Sequence, residues 1–159
     1  MKLLFKAFYW LLHYSFSNTL HGTHSPFVYA FLEKVVYQQS AVYPKIIGLI
    51  LRISKFMPKG VMVFVYADES NAKSLAELGI KAHLVQSAEE LLALYHQHKE
   101  KQDAESAMVF TNFYQDKNSL AAWKKICADA RNNVSIDLFH AGVLFFDQKK
   151  PKEHFRIYY

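Results

Sequence analysis

Residues 61–85 constrain this chain more than any other stretch. Val61 to Tyr66 (VMVFVY) is a continuous apolar run rich in β-branched residues, the pattern of a strand buried on both faces. The run stops at Ala67-Asp68-Glu69-Ser70. A short side-chain oxygen on Asp68 or Ser70 can accept from the free N–H groups of a first helical turn, so a helix starts here. It carries Ala72, Leu75, Ala76 and Leu78, stops at Gly79, and a second short strand, residues 81–85, follows at once. Strand, helix and strand with tight connections predict a parallel pair joined by a right-handed crossover.

The flanking segments read as helices before this unit and as further strands and helices after it. A first helix spans residues 2–16. Ser25-Pro26 starts a second, because proline forces its predecessor into extended backbone and itself suits the first helical turn. Val28, Phe31, Leu32 and Val35 form its apolar stripe. A third begins at Pro44, repeats Ile46, Ile50, Ile53 and Met57 at helical spacing, and ends at Pro58 and Gly60. Beyond Val85, Ser87-Ala88-Glu89-Glu90 reads as a capping box opening a helix with Leu91, Leu94 and Tyr95. Ala107 to Phe113 is a strand. Asn118 or Ser119 caps the next helix, whose inner face holds Leu120, Trp123 and Cys127. Val134 to Phe139, Val143 to Asp147 and His154 to Tyr159 read as strands, with Ala141-Gly142 as a turn or bend. The expected fold is α/β: a reduced Rossmann-like sheet of about five strands with antiparallel C-terminal strands, preceded by N-terminal helices. At 159 residues it forms one domain, with helices over 1–58 and the α/β core over 60–159.

Composition narrows the function classes. With 52% apolar and 16% aromatic residues the chain is too rich to be disordered. The single cysteine, Cys127, excludes an intrachain disulfide and a multi-cysteine metal site, and fits a reducing cytoplasm. Its place on a helix face beside Leu120 and Trp123 reads as a buried structural thiol rather than a nucleophile. The net charge of +5 permits an anionic partner, and Lys149, Lys150, Lys152 and Arg156 are the densest basic cluster. The plain reading of that cluster is a solvated turn and strand edge, set against a nucleic-acid patch.

The first helix (KLLFKAFYWLLHYSF) is apolar nearly all round, with Lys2, Lys6 and His13 making one narrow polar stripe. No A-x-A-like cleavage site follows it, and the run is too short to span a bilayer. Such a helix packs on its own domain, forms a homo- or hetero-oligomer interface, or lies on a membrane surface. Burial against the domain or a partner is the preferred reading, and a membrane surface the less favoured one.

The remaining candidates each have a plain counterpart. His21 and His24 sit three apart on a loop, and His140 is the candidate third ligand for zinc. The plain reading is a loop that orients the second helix. Asp68 and Glu69 lie at the carboxyl end of a parallel strand, the edge where ligands bind in such sheets, and an acid there can hold ribose hydroxyls. Their plain role is helix capping. The five glycines are dispersed, so neither a G-x-G-x-x-G nor a phosphate loop is encoded. Phe139, Phe145, Phe146, Phe155 and Tyr158 alternate as core residues of strands, with a base-stacking platform as the remote alternative.

Two blocks carry a family resemblance. HGTHSPFVY at residues 21–29 resembles a characteristic HG-x-HSPFVY segment. AAWKKI at 121–126, VSIDLFHAGVLFF at 134–146 and KEHFRI at 152–157 resemble the tail of the same family. This is the class I S-adenosylmethionine-dependent methyltransferases of the O-methyltransferase-like kind, and the two ends cover about half of the chain. The resemblance implies a seven-stranded sheet, a glycine-rich loop that receives the cofactor, and an acid that holds its ribose. That acid would be Asp68 or Glu69. The glycine-rich loop has no counterpart here. Residues 110–114 read FTNFY where the family has paired aspartates, and the chain between Val85 and Ala107 is too short for one strand and its helix. The expected function is therefore a methyltransferase-like protein without catalysis or bound cofactor, acting as a scaffold or interaction subunit. The alternatives are an active small-molecule O-methyltransferase with S-adenosylmethionine in a site rebuilt near Asp68, Glu69 and Asn112, and a basic adaptor for nucleic acid or a membrane surface.

Overall fold

The computed structural model describes residues 2–18, 24–38 and 42–159. Helix α1 (Lys2–Ser15) comes first. Helix α2 (Pro26–Phe31) continues into a π-helical turn (Leu32–Val36), and α3 (Lys45–Phe56) follows. The core then runs β1 (Val61–Tyr66), α4 (Glu69–Glu77), β2 (Ala82–Val85), α5 (Ala88–His98) with a short 3-10 extension, β3 (Ala107–Thr111), α6 (Lys117–Ala128), β4 (Val134–Asp137), β5 (Ala141–Phe145) and β6 (Glu153–Arg156).

These strands form one mixed sheet in the order β2-β1-β3-β5-β4-β6. The β1–β2 pair is parallel, as its tight strand–helix–strand sequence requires, with Val63 beside Ala82 and Val65 beside Leu84. β3 adds parallel to the other side of β1, with Val63 beside Val109. The sheet has six strands rather than about five. Only β5 runs against its neighbours, pairing antiparallel with β3 and with β4. β6 is parallel to β4, so the C-terminal strands are not uniformly antiparallel. The bridge Asn18↔Ile157 continues that edge.

Alternation along the strands builds two cores. Val63, Val65, Ala107, Val109, Val143 and Phe145 face α2, α3 and α4. Phe64, Tyr66, Met108, Phe110 and Leu144 face α5 and α6. Helices on both faces explain why β1, β3 and β5, apart from Thr111 at the end of β3, are apolar rather than alternating with polar residues. The second core is the more aromatic, and it dictates one glycine. Gly142 lies in β5, not in a turn, and a Cβ there would stand 2.3 Å from Trp123 Cη2. The glycine lets the Trp123 ring lie against the sheet.

Local signals place the helix starts. Asp68 caps α4 by accepting from Asn71 N–H at 3.0 Å. Ser87 caps α5 by accepting from Glu90 N–H, while the Glu90 carboxylate reaches the Gln86 N–H instead of the Ser87 N–H. The cap of α6 is Asp116, rather than Asn118 or Ser119. Its Oδ1 accepts from both of those residues' N–H groups, and Ser119 closes the capping box as the third helical residue. An ionised acid accepts more strongly than a hydroxyl or amide at this position.

Helix α1 packs with an unexpected face inward. Phe5, Lys6, Tyr9 and Leu12 are partly buried and His13 is buried, whereas Leu3, Leu4, Ala7, Phe8, Trp10, Leu11, Tyr14 and Ser15 all face solvent. The inward stripe carries Lys6 and His13, and the outward residues whose side chains are described carry no charge. Only part of the helix is thus buried against its own domain.

Candidate functional site

In an open α/β sheet, ligands bind beyond the carboxyl ends of the strands where the strand order reverses. Here that point lies between β1 and β3, because β2 adds on one side of β1 and β3 on the other. Ala67 and Asn112 follow directly and both adopt left-handed backbone (φ 47° and 66°). Such backbone is unusual for residues bearing a Cβ and persists only where surroundings hold it.

The structure brings Asp68, Glu69 and Asn112 to this one edge and shows what each does. Asp68 accepts through Oδ1 from the Asn71 N–H and through Oδ2 from the Asn71 Nδ2 at 2.7 Å, so its helix neighbour engages both oxygens. Glu69 is exposed in the first turn of α4. Asn112 Nδ2 donates to the Tyr66 carbonyl at 3.1 Å, tying the ends of β3 and β1 together. The Asn112 N–H donates to the His140 carbonyl at 3.3 Å. Tyr66 donates its hydroxyl to Asp116 Oδ2 at 3.3 Å, and burial, then the Asp116 charge, push that phenol up. Asp68, Asn112, Tyr66 and Asp116 are thus engaged within the crevice, while Glu69 faces solvent.

A second polar cluster lies along the same edge at β4. Asp137 is 2% exposed and closes the strand. Its Oδ1 accepts from the Phe139 N–H at 2.9 Å and faces His13 Nε2 at 3.2 Å, and its Oδ2 accepts from the Tyr114 hydroxyl at 2.8 Å. His13 Nε2 also faces the Asp137 carbonyl at 3.1 Å, so this nitrogen carries the hydrogen and donates. Burial alone would raise the Asp137 carboxyl. The His13 hydrogen bond and charge, with the Phe139 N–H and Tyr114 hydroxyl, hold it below the ordinary carboxylate range. Phe139, the third left-handed residue (φ 67°), stacks on Tyr114 with ring centres 4.6 Å apart, and His13 meets its edge. Asp137 thus fixes the β4–β5 turn, Tyr114 and α1 together.

The order Ser17–His13–Asp137 has the residue types of a hydrolytic triad, with Ser17 Oγ 3.0 Å from His13 Nδ1. Ser17 Oγ also lies within donating reach of the His13 carbonyl one turn back, and the cluster clamps α1 to the end of β4. Neither His13 nor Asp137 stood out as site residues in the sequence, yet a signal was there. A lone carboxylate in the apolar run VSIDLF, and a lone histidine in an apolar helix, each demand a buried partner.

Other sequence candidates are dispersed. His21 lies outside the described residues, and His24 and His140 are exposed. Among the described residues no group of three or more His, Cys, Asp or Glu could hold a metal ion. Burial pushes the Cys127 thiol up to about 12, which makes it inert. The basic cluster splits. Lys150 pairs with Asp147 and lies over the Phe27 ring. Lys152 donates to the Asp129 and Asn132 carbonyls and to Asn132 Oδ1, and burial lowers its pKa. Arg156 lines a groove with residues of α1 and α6. Phe139, Phe145 and Phe146 are buried core, and Tyr158 is half exposed. Among the described residues no helix is long and apolar enough to cross a membrane.

No family model, no curated protein and no solved structure matches this chain.

Proposed function

We propose that this chain is a non-catalytic relative of the class I methyltransferases and works as an interaction subunit, associating with a second copy of itself through the outward face of α1. Three features support the methyltransferase kinship: the two sequence blocks, the α/β sheet with helices on both faces, and its one antiparallel strand set near the C-terminal edge. The lack of catalysis rests on the carboxyl edge. The glycine-rich loop has no counterpart in the sequence, Asp68 is held by Asn71, and Asn112 spans to Tyr66. These residues do not fit S-adenosylmethionine.

The observation that carries the interaction role is the face of α1. Leu3, Leu4, Phe8, Trp10, Leu11 and Tyr14 are 46% to 80% exposed. Together they present on the order of 800 Å² of apolar surface, more than monomers leave in one patch and about what each partner gives to a standard interface. Tyr14 meets Tyr158 edge-on at 5.2 Å, and Tyr37 donates to the Tyr158 carbonyl, so the patch extends onto the domain. A second copy suits it because the exposed residues Leu3, Leu4, Phe8, Trp10, Leu11 and Tyr14 are all uncharged, so two chains of net charge +5 can meet through an apolar contact. A membrane surface would be gripped by lysines flanking the apolar face, and Lys6 turns inward instead. The lone cysteine supports a place in the reducing cytoplasm.

Calorimetric titration with S-adenosylmethionine and with its demethylated product tests the first half. We expect no heat and no thermal stabilisation at millimolar ligand. Micromolar binding of either would overturn it in favour of an active enzyme with a rebuilt site at Asp68 and Glu69. Sedimentation tests the second half.

A further inference from the structure

A groove runs between α1 and α6 above β4 and β6. It consists of two adjoining cavities of about 240 and 290 Å³ that share Tyr114, Leu120, Lys124 and Arg156. The first extends toward Phe16 of α1 and the second toward Trp123. Its walls are largely apolar and aromatic, and its charged lining residues are Lys124, Arg156 and the buried carboxylate of Asp137.

Among the described residues neither cation has a side-chain partner. Arg156 Nε is buried and makes no hydrogen bond. Among the described residues neither Lys124 nor Arg156 forms an ion pair, and none of the residues outside them carries a carboxylate side chain. The one acid in the lining, Asp137, is already engaged by His13, Tyr114 and the Phe139 N–H. The Cys127 sulfur beside it stays protonated. Arg156 is only partly buried and lines both cavities, so its guanidinium can offer paired N–H donors to an anion that enters the groove.

We propose that this groove binds a small amphiphilic organic acid. Its carboxylate lies against Arg156 with Lys124 at the rim, and its apolar body lies along Leu120 and Tyr114. The apolar walls favour such a molecule over inorganic phosphate, and the unpaired cations favour it over a neutral analogue. The inference is independent of the methyltransferase kinship and of self-association.

The test is calorimetric titration of the full chain with octanoate, beside 1-octanol of the same chain length. We expect saturable one-site binding of octanoate, about tenfold or more tighter than octanol, because one paired charge separates the two ligands. Lys124→Gln, at an exposed position that leaves the fold intact, should weaken octanoate about fivefold and octanol not at all. Arg156→Gln should abolish the preference. Should that variant not fold, added salt must weaken octanoate and spare octanol in the wild type. Equal binding of the two ligands would assign them to the apolar face of α1 and overturn the proposal. So would an unchanged octanoate affinity in Lys124→Gln, or no saturable binding.

Discussion

Helices α1 and α3 stand on either side of α2 in the chain and resemble each other in length and apolar content, yet they pack in opposite senses. α3 turns Ile47, Leu49, Ile50 and Ile53 into the first core, all at most 1% exposed, and leaves Lys45 and Lys55 outside. α1 turns His13 inward to Asp137 and leaves Leu3 and Leu4 80% and 77% exposed. The difference teaches that the facing of a helix follows its most demanding group. In α3 nothing competes with apolar burial. In α1 a buried carboxylate in β4 must be answered, and the helix that answers it forfeits the burial of its leucines. A helix so placed has an apolar face left over, and that surplus surface is what a second copy would cover.

Equal truncations in the two helices should break the symmetry most visibly. Ile50→Ala in α3 should cost about 3 kcal/mol, since it empties a closed core, while Leu4→Ala in α1 should cost less than about 0.5 kcal/mol at high dilution. Chemical denaturation of both variants checks this, and similar losses would mean that α1 is covered within its own chain.

Asp137→Asn probes the reason for the inverted packing. Breaking a buried pair while leaving the partner in place should cost about 3 kcal/mol. Hydrogen exchange should show α1 losing protection ahead of the sheet. The sign with pH follows from the lowered Asp137 carboxyl. Its contribution is complete above the ordinary carboxylate value of about 4 and fades as pH falls toward the lower folded value, so the gap between wild type and variant should close in acid. A gap that is constant down to the acid limit would contradict the clamp.

The smallest effect contrasts a partnered histidine with an unpartnered one. His83 lies 5.4 Å from His98, its Nε2 is buried without a bond, and burial, the His98 charge and Lys81 lower its pKa. His98 is lowered by burial and by Lys101 and Lys81. Both prefer to stay neutral when folded, so the unfolded chain binds protons first. Stability should fall as pH drops below about 6.5, and His83→Phe, which keeps the stack on Phe64, should make that fall shallower. Melting curves across this range check it.

What the sequence made legible was local. The Val61–Val85 unit declared itself through an apolar run and an Asp68 cap, and the prolines at 26 and 44 marked two helix starts, because these signals act over a few residues. Asp116 was passed over for its neighbours because three capping side chains crowd within four positions there. Gly142 read as a turn because a glycine's reason can lie in a distant ring, here that of Trp123. The His13–Asp137 contact spans 124 residues and depends on a sheet order that puts β5 between β3 and β4. No local pattern encodes that order. Asp68 and Glu69 were rightly located at the carboxyl edge, but the bonds that occupy Asp68 come from a helix neighbour's side chain.

Sedimentation equilibrium across the micromolar range, on the wild type and on a Leu4→Glu, Leu11→Glu double variant, tests the central claim most directly. The account predicts that the wild type forms dimers that dissociate on dilution. It predicts that the double variant stays monomeric while unfolding at the same midpoint when dilute, because both positions face solvent within one chain. A wild type that remains monomeric at high micromolar concentration, or a double variant that dimerises as well as the wild type, would contradict it.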